Sequence, residues 1–258
     1  MSERLALSWA NNQLTITGGR LPGGPLEVWY LEAFCRPGST DRDWTETVIP
    51  HHTDLIRVQE DGSRLELLSR LADGVTIYHL VSAGTDEVDF RLEIENPGET
   101  SSQVHWGQPC LRAGRFSGMA QDPEGFIPRC FIFLEGRLAH LPTQPWATQA
   151  RYTPGQVWRP VHVPPEDVNP RPLSPLVPSN GLIGCLSGDE RLILATAWQP
   201  WQELFLGIFE CIHADFRIAG VAPGEHKRAR GKIYIVENDV DGLLARYRRD
   251  FPEHAGQL

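Results

Sequence analysis

The sequence predicts an all-β protein: one large antiparallel β-sandwich domain spanning residues 1–258, with long proline-rich loops and a single helix at the C-terminal end. Three observations carry that prediction. Runs of alternating apolar and polar residues recur along the chain, the period of a strand with one face in a core. Tight-turn residues separate them at intervals of about 8–12 residues, the spacing of antiparallel sandwiches. Finally, 258 residues of which 41% are hydrophobic and 22% charged supply a sizeable core, and sandwiches of about 200–250 residues fold as one unit.

The elements follow in chain order. Runs at 5–9 and 14–16 flank Asn11-Asn12 and form a hairpin, since Asn tolerates the left-handed backbone of a two-residue turn. A run at 26–34 follows Gly23-Gly24-Pro25. The clearest meander comes next, at 55–60, 65–70, 75–83 and 88–95. It turns at Asp61-Gly62, Asp73-Gly74, Gly84-Thr85-Asp86 and Asn96-Pro97-Gly98, where Gly supplies a positive φ and Pro a fixed one. Residues 118–179 are rich in proline, densest from Pro142 to Pro178, and proline breaks central strands. The same segment carries Trp146, Tyr152 and Trp158, unlike disordered tracts, which are poor in aromatics. Long packed loops folded over one face of the sandwich are expected there. Strands resume at 181–186, 191–198, 203–215 and 232–236. A helix over 239–251, capped by Asp239 or Asp241, sets Leu243, Leu244, Tyr247 and Phe251 at helical spacing, and Pro252 stops it.

Composition narrows the function classes. The formal net charge is −9, and the basic runs at 226–230 and 246–249 are short, whereas a nucleic-acid binder presents a broad basic face. Met1 to Gly18 holds no apolar signal-peptide core and no apolar run approaches 18 residues, so neither a signal peptide nor a membrane-spanning helix is expected. The chain reads as cytoplasmic, or as exported with a signal peptide already removed. The five cysteines are odd in number and scattered without a C-x-x-C pair, which predicts reduced, buried thiols rather than a disulfide framework. Eight Trp residues suit packing between sheets, with some left to line a cleft. The signatures of serine-hydrolase elbows, dinucleotide or Walker loops and zincins are missing from the sequence. The acidic run Asp41 to Glu46 lacks the glycine and terminal glutamate of a calcium loop.

Two segments carry a resemblance. Residues 89–109, from Asp89 through Asn96-Pro97-Gly98 to His105, Trp106 and Pro109, resemble the strand, Asn-containing turn and return strand of the galactose mutarotase-like supersandwich family. Val221 to Glu225, with Pro223-Gly224 before the strand at 232–236, is similar to the turn before the last long strand in many sandwich domains of carbohydrate enzymes. The resemblance implies the supersandwich fold and a carbohydrate ligand. In the aldose epimerases the return strand leads into a catalytic histidine; here Pro109 or its neighbour falls at that place, and His105 stands about four residues earlier. Blocks at 35–44, 167–173, 178–185 and 211–217 resemble a bacterial branch of proteins that implies no particular activity.

The candidate site residues are mostly polar groups on strands. Cys211, His213 and Asp215 stand at i, i+2 and i+4, so a strand projects all three from one face, as a metal-ligand set or as an acid/base pair with a tuning neighbour; hydrogen bonding at a strand end is the structural alternative. His105 shares its side with Gly107, which leaves room for a ligand, and equally suits a buried structural histidine. His52, two residues before Asp54, offers an imidazole–carboxylate pairing in the loop before a strand. Arg112 can grip a carboxylate or hydroxyls in bidentate fashion, Trp106 can stack on a ring, and Arg171 and Asn180 place a guanidinium and an amide on rigid loops.

Taken together, these features predict a carbohydrate-active enzyme that transfers protons with a histidine and a carboxylate, performing epimerisation, isomerisation or β-elimination on a sugar or uronate. His105, His213, Asp215 and His52 are the catalytic candidates; Arg112, Trp106, Arg171 and Asn180 are the substrate-binding candidates. The chemistry requires no organic cofactor, and a divalent metal held by His and Asp is compatible with it. Two alternatives stay open: a non-catalytic carbohydrate-binding or structural sandwich, and a metal-dependent glycoside hydrolase. The expected partner is a carbohydrate, with neither nucleic acid nor membrane.

Overall fold

The computed structural model describes residues 4–142, 147–207 and 209–257; Trp146 lies outside them. Among the described residues sixteen strands form two sheets in which every strand pairing is antiparallel. The strands are β1 (Ala6–Ala10), β2 (Gln13–Thr17), β3 (Leu26–Cys35), β4 (His51–Val58), β5 (Arg64–Leu71), β6 (Thr76–Ala83), β7 (Glu87–Glu95), β8 (Trp106–Arg112), β9 (Cys130–Leu134), β10 (Arg137–His140), β11 (Gln156–Trp158), β12 (Ile183–Leu186), β13 (Leu192–Gln199), β14 (Trp201–Leu206), β15 (Cys211–Arg217) and β16 (His226–Glu237). The seven-stranded sheet runs β1-β2-β3-β8-β15-β14-β11, and the nine-stranded sheet runs β10-β9-β12-β13-β16-β7-β6-β5-β4.

Local sequence explains the connections that matter for the site. Asn11 and Asn12 take φ values of 53° and 59° in the β1–β2 turn, as a two-residue hairpin demands. The turn after β7 is pinned by the buried Asn96 side chain, whose Nδ2 donates to the carbonyls of Thr100 and Val221, both at 2.8 Å, while its Oδ1 accepts from Gly98 N at 3.0 Å. This joins the Asn-Pro-Gly turn to the Val221–Glu225 turn and aligns β7 with β16 along nine residue pairs.

Inward-facing apolar residues of both sheets form one continuous core that includes Leu14, Val28, Phe34, Leu67, Ile77, Phe90, Leu111, Ile212 and Phe216. A polar chain crosses it. The Tyr30 hydroxyl lies 2.9 Å from His79 Nδ1, His79 Nε2 lies 2.8 Å from Ser69 Oγ, and Ser69 Oγ lies 2.8 Å from Thr53 Oγ1. All four side chains are buried, so each satisfies the next and none is orphaned. The helix Val240–Asp250 covers part of the outer face of the nine-stranded sheet. The Asp239 side chain caps it by accepting from Gly242 N at 3.0 Å. Leu243, Leu244, Tyr247 and Phe251 pack on Phe131, Phe133, Ile193 and Tyr234.

The structure departs from the sequence expectation in three places. His51 and His52 belong to β4 itself rather than to a loop before it. The apolar stretch at 203–215 is a hairpin, β14 and β15, with Glu210 at a positive φ of 47° just before β15. Within 118–179 the proline-free stretch from Cys130 to His140 forms the β9–β10 hairpin, with Gly136 (φ 74°) at its turn. No helix among the described residues is long and apolar enough to cross a membrane.

Burial lowers the pKa of His79 to about 3, so the folded protein holds it neutral. The unfolded chain takes up that proton below about pH 6.5, so stability from this group is full above pH 6.5 and falls as pH drops toward 3, by up to about 1.4 kcal/mol per pH unit. Urea unfolding between pH 7 and 5 is expected to show a smaller pH dependence in His79→Leu than in the wild type, although the variant is less stable at pH 7. An identical pH dependence in both proteins would remove His79 as the source.

Candidate functional site

Most surface strands have one dry face, but β8, β14 and β15 are buried almost throughout. On β15, Ile212, Ala214 and Phe216 enter the sandwich core, and Cys211, His213 and Asp215 point to the opposite, outer face of the seven-stranded sheet. The register pairs Cys211 with Arg112 and Ile212 with Leu111, so one further step sets Cys110 opposite His213. On the other flank Phe205 faces His213 and Glu203 faces Asp215. Trp29 of β3 pairs with Cys110. Between Trp29 and Ala33 the β3 register shifts, and this irregular stretch delivers Glu32 to the same face.

A loop from the proline-rich region covers this face and keeps water from much of it. The Asn169 N–H donates to the Glu203 carboxylate at 3.0 Å, and Gln202 Nε2 donates to the Asp167 carbonyl at 2.8 Å. From the other side Gly38 N donates to Asp167 Oδ1 at 2.8 Å and Ser39 Oγ to the Val168 carbonyl at 2.7 Å. Val157, Val163 and Val168 pack on Phe205 beneath the loop. Loops folded over one face of the sandwich, expected from the aromatics in this segment, are thus present.

Between loop and sheet lies a pocket of about 380 Å³, within the range of small-molecule sites. Its floor is Glu32, Gln108, Cys110, Arg112, Cys211 and His213; its walls are Trp29, Trp44, Tyr152, Phe205 and Phe209, with Asn169, Pro170 and Arg171 from the loop and Gly207 from the β14–β15 turn. Phe209 and Trp29 are 65% and 39% exposed at the rim. The Arg171 guanidinium lies over the Tyr152 ring, 5.7 Å from its centroid, and donates to the Pro154 carbonyl at 3.1 Å. Arg112 has no ion pair with a described residue, and its Nε is buried without a hydrogen-bond partner.

Burial sets the electrostatics of the floor. Cys211 Sγ lies 3.3 Å from His213 Nε2. A hydrogen bond from the Cys110 thiol, and then the His213 charge, draw the Cys211 pKa well down against the effect of burial; the same bond pushes Cys110 up. Burial alone lowers His213, but the Cys211 sulfur and Glu32 outweigh it, and its net shift is upward. Burial also raises the Glu32 carboxyl, opposed chiefly by His213. Beneath the pocket, burial raises Glu203 to about 8 against the Asn169 N–H, and burial together with the Glu203 charge raises Asp215. Neither Asp215 oxygen meets a protein donor. Two like charges side by side in a dry site do not ionise together, so one of these two carboxyls holds a proton and can share it with the other.

The structure brings His213, Arg112 and Arg171 of the sequence candidates to one pocket and seats Asp215 just below, its Oδ1 3.8 Å from His213 Nδ1. The others lie elsewhere. His52 is on β4 of the nine-stranded sheet, exposed and paired with Asp54 at 2.8 Å. His105 precedes β8 and donates from Nδ1 to the Gln103 carbonyl at 3.1 Å. Trp106 does face outward but is wholly buried under Trp44, with ring centroids 6.3 Å apart. Asn180 is buried, and its Oδ1 accepts from Leu182 N at 3.0 Å, an Asx-type turn. Sequence reasoning missed Glu32, Gln108, Cys110 and Gly207. The alternation of Gln108, Cys110 and Arg112 was an available signal; Glu32 had none, because the shift in β3 hides its facing.

Replacing Asp215 tests the shared proton. Asp215→Asn keeps a donor toward Glu203 and is expected to unfold within about 1 kcal/mol of the wild type, whereas Asp215→Leu orphans Glu203 and costs about 1–3 kcal/mol. Equal stability of the two variants in denaturant melts would exclude the pairing.

No protein-family model and no curated protein matches the chain. Among solved structures it is similar to the Slr1438 protein from Synechocystis sp. PCC 6803, at 11% identity and TM-score 0.49 over 90% of this chain and 95% of that one. It is similar to a candidate aldose 1-epimerase from Escherichia coli K12, at 12% identity and TM-score 0.44 over 90% and 99% of the two chains. It is likewise similar to a galactose mutarotase-like protein from Lactobacillus casei, at 8% identity and TM-score 0.45 over 90% and 99%. At these identities, and with TM-scores below 0.5, these likenesses assign the chain neither a family nor a chemistry.

Proposed function

We propose that the pocket takes a sugar bearing a carboxylate and transfers a proton at the carbon next to that carboxylate, with Glu32 as the group that accepts it. The observation that carries this reading is the Arg112 guanidinium, turned into the pocket without a protein ion pair among the described residues and with its Nε buried and unpartnered. A second guanidinium, Arg171, lines the same pocket, and Glu32 is the one carboxylate among the lining residues. This leaves the pocket cationic in a chain of net charge −9. An anionic ligand of planar geometry suits paired guanidinium groups, and a sugar ring suits the apolar faces of Trp29, Trp44 and Tyr152.

Arginine binding of the carboxylate serves chemistry as well as affinity. Removing the neighbouring proton spreads negative charge onto the carboxylate oxygens, and a fixed cation there stabilises the developing charge more than the starting one. A raised carboxyl pKa suits Glu32 to this exchange. Protonation of the carbon from its opposite face by water, with the Glu32 proton passed to solvent, gives the epimer; departure of the oxygen substituent one carbon further, carrying the proton from Glu32, gives elimination. His213 is not free for the same task, because Nε2 is engaged by Cys211 and Nδ1 faces Asp215. Glycoside hydrolysis fits less well, since it uses two carboxyls flanking the bond and Glu203 and Asp215 are sealed below the floor.

Solvent-deuterium incorporation next to the carboxylate, followed by NMR over a panel of hexuronates and short uronate oligosaccharides, tests the reading. Turnover is expected for at least one member, reduced about 100- to 10,000-fold in Glu32→Gln with binding retained. Arg112→Met is expected to weaken binding about 10- to 100-fold. Binding without exchange in the wild type would favour a non-catalytic carbohydrate-binding role; neither binding nor exchange would reject the proposal.

A further inference from the structure

The thiol–imidazole cluster on the pocket floor has no part in the proton transfer just described. Among the described residues Cys110, Cys211 and His213 form a group whose donor atoms, two sulfurs and one ring nitrogen, lie within 4.8 Å of one another, with all three residues buried. We propose that Cys110, Cys211 and His213 bind a zinc-class divalent ion, with its remaining coordination position directed into the pocket.

Geometry and donor chemistry support the assignment. In a tetrahedral zinc site with bonds of about 2.3 Å to sulfur and 2.0–2.1 Å to nitrogen, sulfur and nitrogen donors stand about 3.6 Å apart; Cys211 Sγ and His213 Nε2 are 3.3 Å apart. The three donors come from facing positions on adjacent strands β8 and β15, so the ladder presets their spacing instead of leaving it to a loop. Gly207 keeps the space beside them clear: a Cβ there would fall 2.3 Å from Cys211 Sγ and 3.3 Å from His213 Nε2. Two thiolates and an imidazole select zinc-class ions over magnesium or calcium, which take oxygen donors. Three protein ligands with a fourth position toward a cavity is the arrangement of reactive rather than purely structural zinc. Binding releases the thiol protons to solvent and leaves Glu32 and Arg112 at the pocket side of the ion, where a ligand oxygen would meet it.

The test uses the full chain, reduced and stripped of metal by chelation, and requires no sugar, so its outcome is separate from that of the uronate assay. Titration with Co(II) is expected to produce a thiolate-to-cobalt charge-transfer band and tetrahedral ligand-field bands that saturate at one ion per chain and are abolished by Zn(II). Cys110→Ser, Cys211→Ser and His213→Gln are each expected to weaken binding by about 100-fold or more, with folding checked by circular dichroism. Should a variant fail to fold, alkylation mapping on the wild type replaces it: Zn(II) is expected to protect Cys110 and Cys211 from iodoacetamide. Absence of the cobalt bands in the folded, reduced wild type, their persistence in any of the three folded variants, or unchanged alkylation with Zn(II) would overturn the proposal.

Discussion

The site depends on the hydrogen bonds that hold the 152–174 segment against the outer face of the seven-stranded sheet, above all the Asn169 N–H to the Glu203 carboxylate and Gln202 to the Asp167 carbonyl. A sandwich needs only its inner faces to be dry. Here the covering segment dries the centre of an outer face as well, and that face carries Gln108, Cys110, Arg112, Glu203, Cys211, His213 and Asp215. Polar groups deprived of water must find partners or change protonation state. The raised Glu203 and Asp215 carboxyls, the Cys211–His213 contact and the raised Glu32 carboxyl are three local outcomes of that one desolvation.

The same cover explains why the floor divides into two chemical halves. On the β14 side the carboxyls are sealed, and Glu203 accepts the Asn169 N–H and so fixes the loop. On the β8 side the pocket remains open to a ligand, and Gln108 Oε1, Arg112 Nε and His213 Nδ1 are left without hydrogen-bond partners beside Glu32 and the two thiols. A guanidinium and a carboxyl serve an anionic substrate with an exchangeable proton; two sulfurs and a ring nitrogen serve a soft divalent ion. These roles use different atoms and are compatible within one pocket.

How much was legible in the sequence follows from which physical signals are local. The meander from β4 to β7 was visible because its alternation and Asp-Gly or Asn-Pro-Gly turns are local properties, and the C-terminal helix because Asp239, the apolar spacing and Pro252 mark its ends. Cys211, His213 and Asp215 were visible as one face of a strand, and that survived the correction of 203–215 from one strand to a hairpin, since the three residues sit beyond the turn. Cys110 and Glu32 were not visible in this role. Their place beside His213 is set by the β8–β15 register and by the shift in β3, which are tertiary facts. His52 shows the converse: His-x-Asp is a sound local pairing, and it forms, but on the far sheet.

The central claim is that the covered outer face is where a carboxylate-bearing sugar binds, with Arg112 as its anchor. The measurement that tests it most directly is a crystal structure of the protein soaked with the hexuronate that binds best. The account predicts the carboxylate on the Arg112 guanidinium, the ring against Tyr152 or Trp29, and the adjacent carbon within reach of Glu32. A uronate bound only outside this pocket, or inside it with its carboxylate turned away from both Arg112 and Arg171, would contradict the account.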